Sequence, residues 1–195
     1  MMNKLSLQIF SFIVSSILSL TFCGLESRPA KANPLPTNPN LISATRSSQP
    51  GLNFINQALI ASVNSMGNFP TGFGYSPPIT QNGKLACMWS INQILKHAGF
   101  KPLGNDTLLV LEAREELRQG RGIEVSQSKA IPGDLAIVDA GGWIQHIGIC
   151  LNDGCTKVKS NSSSRASFSW ISNPKFRYPG SPYNSGKSEI WRLKS

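Results

Sequence analysis

After residue 126 the hydrophobic period of this chain changes, and that change constrains the fold more than any other feature. Upstream, apolar residues recur three or four apart, the spacing that puts them on one face of a helix. Such stretches cover 52–66 (Phe54, Ile55, Leu59, Ile60, Val63), 82–100 (NGKLACMWSINQILKHAGF) and 106–119 (with the charged EAREELR). In the second, Leu85, Met88, Ile91, Leu95 and Ala98 form the stripe and Gly99 supplies the stop. In the third, Asn105 or Asp106 can cap the start and Gly120 ends it. Downstream the pattern alternates, as in strands: DLAIV at 134–138, WIQHIGICL at 143–151, TKVKS at 156–160 and EIWRL at 189–193. Helices followed by an antiparallel meander predict an α+β domain.

The first 32 residues read as an address. Lys4 is followed by the apolar run IFSFIVSSILSL and then by Ala30-Lys31-Ala32, a small-x-small cleavage pattern. The run is short for a spanning helix, so a secretory signal peptide over 1–32 is expected, and no membrane span after its removal. Cys23 supplies a lipoprotein alternative, which the bulky Phe22 before it disfavours. Cleavage removes Lys4, Arg28, Lys31 and Glu26 and lowers the net charge from +9 to +7. Residues 33–51, rich in Pro, Asn and Ser, read as a flexible leader, and 52–195 as one domain. The protein is expected outside the cytoplasm, in the periplasm or cell wall, as a monomer.

Export makes the cysteine count informative. Without Cys23 three remain, and an odd number in an oxidising compartment leaves one thiol unpaired. Cys150 and Cys155 flank Leu-Asn-Asp-Gly, a turn sequence that brings them within disulfide reach. Cys87 is then the free thiol, at the start of a helix whose dipole favours thiolate. The competing reading is a small buried hydrophobe.

Nucleophilic cysteine chemistry needs a base near the thiol and a polar group to orient that base. The chain has two histidines. His97 lies ten residues along the same helix from Cys87, roughly 15 Å at the standard rise, too far to act on it. In a strand, His146, Gly148 and Cys150 share one face and Ile147, Ile149 and Leu151 the other. The glycine is expected to leave room beside the imidazole.

IPGDLAIVDAGGWIQHIGICLNDG and LACMWSINQILKHAG resemble, in order and spacing, the Pro-Gly-Asp strand, His-apolar-Gly strand and nucleophile helix of NlpC-type cell-wall cysteine peptidases. The CHAP-type amidases are similar at the same level. The resemblance spans about 52–193 and implies a papain-like fold, with the nucleophile helix packed on an antiparallel sheet. It implies Cys87 as nucleophile, His146 as general base, and a polar residue on the next strand as third member. Asn161 is favoured for that place, with Ser160 and Ser162 on the opposite face of a regular strand. Tyr75, Trp89 and Trp143 are the expected substrate contacts, and the Cys87 N–H an oxyanion donor. The family's Asp-Cys-Ser-Gly is here Ala86-Cys87-Met88-Trp89, which changes the setting in which substrate is chosen.

The resemblance thus implies a secreted peptidoglycan hydrolase that cuts peptide or amide bonds of the stem peptide through a thioester. The alternative is an inactive protein of the same fold that binds muropeptides. No nucleic-acid partner is expected, because the basic residues are scattered and no binding motif is present. No cofactor is expected. Nor is a metal, since Cys150 and Cys155 lack ligand partners at zinc spacing.

Overall fold

A computed structural model describes residues 53–106, 108–141, 145–177 and 180–194. The expected signal peptide, the leader and Trp143 lie outside the described residues. The described chain is α+β: three α-helices and a six-stranded antiparallel sheet. None of the described helices is long and apolar enough to cross a membrane.

Helix α1 (Phe54–Met66) starts where Asn53 accepts the Asn56 N–H through its side chain at 2.9 Å. That satisfies one of the four donors a helix start leaves open. Helix α2 (Cys87–His97) buries Met88, Ile91, Ile94 and Leu95, and Gly99 follows at φ 82°. Leu85 does not join this stripe; it lies ahead of the helix and is 51% exposed. Helix α3 (Val110–Glu116) begins later than its sequence pattern suggests, because Asn105 and Asp106 both take left-handed conformations instead of capping it. It continues into a wider turn over Leu117–Arg121.

The strands are β1 (Gly122–Glu124), β2 (Leu135–Asp139), β3 (Gln145–Cys150), β4 (Val158–Ser162), β5 (Ser167–Ser172) and β6 (Lys187–Leu193), ordered β1-β6-β2-β3-β4-β5. Strands β2 to β5 form the meander, and β6 returns beside β2. The sheet has two unlike faces. On one, Leu135, Ile137, Ile147 and Ile149 pack with Leu59, Met88, Ile91 and Leu95 from the helices. On the other, Ala136, Val138, Cys150, Val158 and Ile190 are covered by loop residues, among them Cys155 and Phe176. Cys150 and Cys155 are disulfide-bonded on this loop side, with Cα atoms 4.9 Å apart.

The β4–β5 pairing slips by one residue. Ser160 opposes Trp170 but Ser162 opposes Ser167, so β5 spends three residues where β4 spends two. A bulge of this kind reverses which face the following side chains take. Phe168 therefore stacks on Phe69 at 5.0 Å on the helix side, while Trp170, two residues away, packs on the loop side.

The Pro-Gly-Asp sequence is a joint. Asp134, fully buried, accepts from Arg192 Nε (2.9 Å) and Nη2 (2.8 Å), from Asn56 Nδ2 (2.9 Å) and from the Ile131 N–H (2.9 Å). Gly133, at φ 92°, lies so close to α1 that a Cβ would fall 2.8 Å from the Asn56 carbonyl. A second joint fixes α3 to the sheet. Arg114 forms a two-pronged pair with buried Glu189 and reaches Asp139 at 2.6 Å, and Trp191 Nε1 donates to Glu189 at 3.2 Å. The Arg114 hydrogen bond holds the Glu189 carboxyl below the usual range.

Candidate active site

Cys87 is the free cysteine among the described residues and the first residue of α2. The backbone N–H groups of Met88, Ile147 and Cys87 itself lie where they favour its thiolate. Two of those donors belong to the open first turn of α2 and the third to β3, so the thiol sits where helix and sheet meet. Burial nevertheless outweighs them and pushes the Cys87 thiol up to about 11. The helix start alone does not make a thiolate here: desolvation of the sulfur exceeds what three amide donors return.

The loop that leads into Cys87 is tightly held. Asn161 donates to the Gly83 carbonyl and accepts from the Thr71 hydroxyl, both at 2.7 Å. Gly83, at φ 88°, leaves no space for a side chain, since a Cβ would stand 2.6 Å from the Thr71 carbonyl oxygen. Ser163 donates to the Lys84 carbonyl at 2.7 Å. Asn161 is therefore an anchor of the loop that leads into Cys87.

It does not orient His146, and the register gives the reason. Gly148 opposes Ser160, so the next pair along sets Ile147 against Asn161. Asn161 shares the helix face with Ile147, and His146 faces the other way. The expectation that Asn161 completes a triad is corrected accordingly. Ser160, the alternative, is on the loop side with His146. Its hydroxyl and the His146 Nε2 are both buried and without a hydrogen-bond partner among the described residues.

His146 lies in an aromatic box. Its ring is 4.7 Å from Phe176, 5.3 Å from Tyr183 and 5.4 Å from Trp170, centroid to centroid. With 4% of its surface exposed, the imidazole loses its hydration, and burial pulls it down to about 3. The room expected beside it at Gly148 is already filled, because a Cβ there would meet Val158 Cγ1 at 2.5 Å. The glycine serves strand packing rather than imidazole access. His97 is remote in role as well as sequence, with Nδ1 3.2 Å from the Ser62 hydroxyl.

A cleft of about 970 Å³ gathers these parts, and Cys87 and His146 both line it. It opens at the start of β3, where the consecutive residues Gln145 and His146 face opposite sides and both reach it. Its walls come from Ile79, Leu85 and the 108–111 segment ahead of and within α3, with Tyr183 beside His146. The expected substrate contacts fare differently. Trp89 is a core residue, edge-on to Phe69 at 6.2 Å, and Tyr75 is exposed but does not line the cleft. Sequence reasoning missed the cleft's leucines, whose signal was an apolar run, LLVL at 108–111, at the head of an otherwise charged helix. It also missed Phe176 and Tyr183, which sit in a Ser/Pro/Gly-rich loop without periodicity.

Among the described residues no group of three or more His, Cys, Asp or Glu could hold a metal ion. No family model matches the chain, and no curated protein matches it.

Proposed function

We propose that this protein is a secreted, papain-like cysteine hydrolase that cuts peptide or amide bonds, with the stem peptide of peptidoglycan as its substrate. The observation that carries the reading is the position of Cys87, a free thiol at a helix start that opens on a cleft it shares with His146. In this reading the sulfur attacks the scissile carbonyl. The backbone N–H groups that favour the thiolate are available to the oxyanion. His146 takes the thiol proton and returns it to the leaving amine as the C–N bond breaks. Water then attacks the thioester and regenerates the thiol. A neutral imidazole is the correct form for a base, but His146 has to turn out of its aromatic box to act as one.

The test is digestion of purified sacculi by wild type and by Cys87→Ala, with new amino and carboxyl ends identified by mass spectrometry. Wild type releases fragments and the folded variant releases none. Equal release by both contradicts the proposal. A second reading, a muropeptide-binding protein without catalysis, draws on the protonated thiol and the boxed histidine. It predicts that both proteins sediment with sacculi and neither cleaves them.

A further inference from the structure

The cleft's chemistry is unlike that of a site built for carboxylates. Leu85, Leu109 and Leu111 are 51%, 41% and 53% exposed, and Ile79 is 72% exposed. Isolated exposed leucines are ordinary, but these come from two separate segments and converge on one cleft beside a thiol. The charged side chains among the described lining residues are Lys84 and Glu112, one of each sign. They offset each other, so the cleft presents no net field that would select an anion.

The wall is also preformed. The Leu85 N–H bonds the Thr80 carbonyl at 2.9 Å, and the Asn161 and Ser163 contacts hold the carbonyls of Gly83 and Lys84 just before it. Leu85 stands two residues before Cys87, so an apolar group on it is placed beside the sulfur. A volume of about 970 Å³ accommodates a ligand of many non-hydrogen atoms.

We propose that the acyl half of the substrate, the part delivered to Cys87, carries an aliphatic chain or apolar side chain that lies along Leu85, Leu109 and Leu111. This rests on Cys87 being the nucleophile and adds a substrate class to it. Both a fatty acyl group and a peptide residue with an aliphatic side chain offer that chemistry.

The probes are p-nitrophenyl acetate, butyrate and octanoate, with the p-nitrophenyl esters of N-acetyl-leucine and N-acetyl-aspartate. The Cys87 sulfur forms a bond to the ester carbonyl, the C–O bond breaks with its electron pair leaving on p-nitrophenolate, and the thiol proton passes to the medium. Water then hydrolyses the thioester. Each buried methylene is worth about fourfold, so kcat/KM should rise about fifteenfold from acetate to butyrate, which adds two. The leucyl ester should exceed the aspartyl ester by a similar factor. Leu111→Asp should reduce both ratios to under threefold. Octanoate outrunning the leucyl ester assigns a lipid-like acyl group, and the reverse assigns a peptide.

Ratios near one with Cys87 acylated overturn this inference and leave the hydrolase standing. Absence of acylation by every ester overturns the hydrolase. In that event binding of octanamide against acetamide to Cys87→Ala, read by tryptophan fluorescence, still decides the cleft: equal binding overturns the apolar class, and tighter binding of octanamide supports it.

Discussion

The two faces of the sheet handle polar residues in opposite ways. On the helix side several polar side chains are paired: Asn161 with Thr71 and Gly83, Arg114 with Glu189 and Asp139, and Lys159 with the Gly67 carbonyl at 2.8 Å, although Asn56 Oδ1 on α1 has no partner among the described residues. On the loop side, His146 Nε2 and the Ser160 hydroxyl are buried without partners among the described residues, and His146 lies among aromatic rings. A satisfied buried network fixes one geometry, whereas an unsatisfied group keeps a driving force to move toward a partner. The thiol belongs to the rigid side and the imidazole to the frustrated one. Cys87 and His146 thus line one cleft from opposite settings, the thiol beside a satisfied network and the imidazole Nε2 without a partner among the described residues.

The largest effects should come from breaking the helix side. Glu189→Ala leaves Arg114 buried without its main partner and should lower stability by about 3–5 kcal/mol in urea unfolding. Asn161→Ala removes two buried hydrogen bonds and should cost about 2–3 kcal/mol. It should also slow acylation of Cys87 while leaving the imidazole's titration unchanged. A shift in the His146 titration on that substitution would return Asn161 to the triad.

The loop side is sharpened by pH. Because His146 is pulled down to about 3 from 6.5, its neutral form favours the folded state above about pH 6.5, and that contribution is lost as pH falls toward 3. His146→Phe should reduce the loss of stability on acidification across this window, measured by thermal unfolding at a series of pH values. The smallest effect concerns the ring alone. Trp170→Ala admits water to one wall of the box and should raise the His146 titration point toward 6.5, seen in imidazole NMR shifts.

Legibility in the sequence followed the same division. Helices α1 and α2, strands β2, β3 and β6, and the pairing of Cys150 with Cys155 were readable because period, caps and turn residues all act locally. Strand β5 was not, since SFSWIS reads as a polar stretch and its bulge sends Phe168 and Trp170 to opposite faces despite their even spacing. Strand β1 is three residues long and its burial pattern does not alternate. For the site, the sequence singled out Cys87 and His146, and the structure places both on one cleft. Asn161 was misassigned because strand alternation names a face only once the register with β3 is known. The thiol's pKa was misjudged because the helix dipole is visible in sequence and desolvation is not.

That Cys87 rests as a protonated thiol independent of His146 is tested most directly by the rate of Cys87 alkylation by iodoacetamide from pH 5 to 11, in wild type and in His146→Ala. With burial holding the thiol up to about 11, the rate should climb throughout that range and be the same in both proteins. A plateau already reached below pH 8.5 in wild type and abolished in His146→Ala would reveal a preformed thiolate–imidazolium pair and contradict this account.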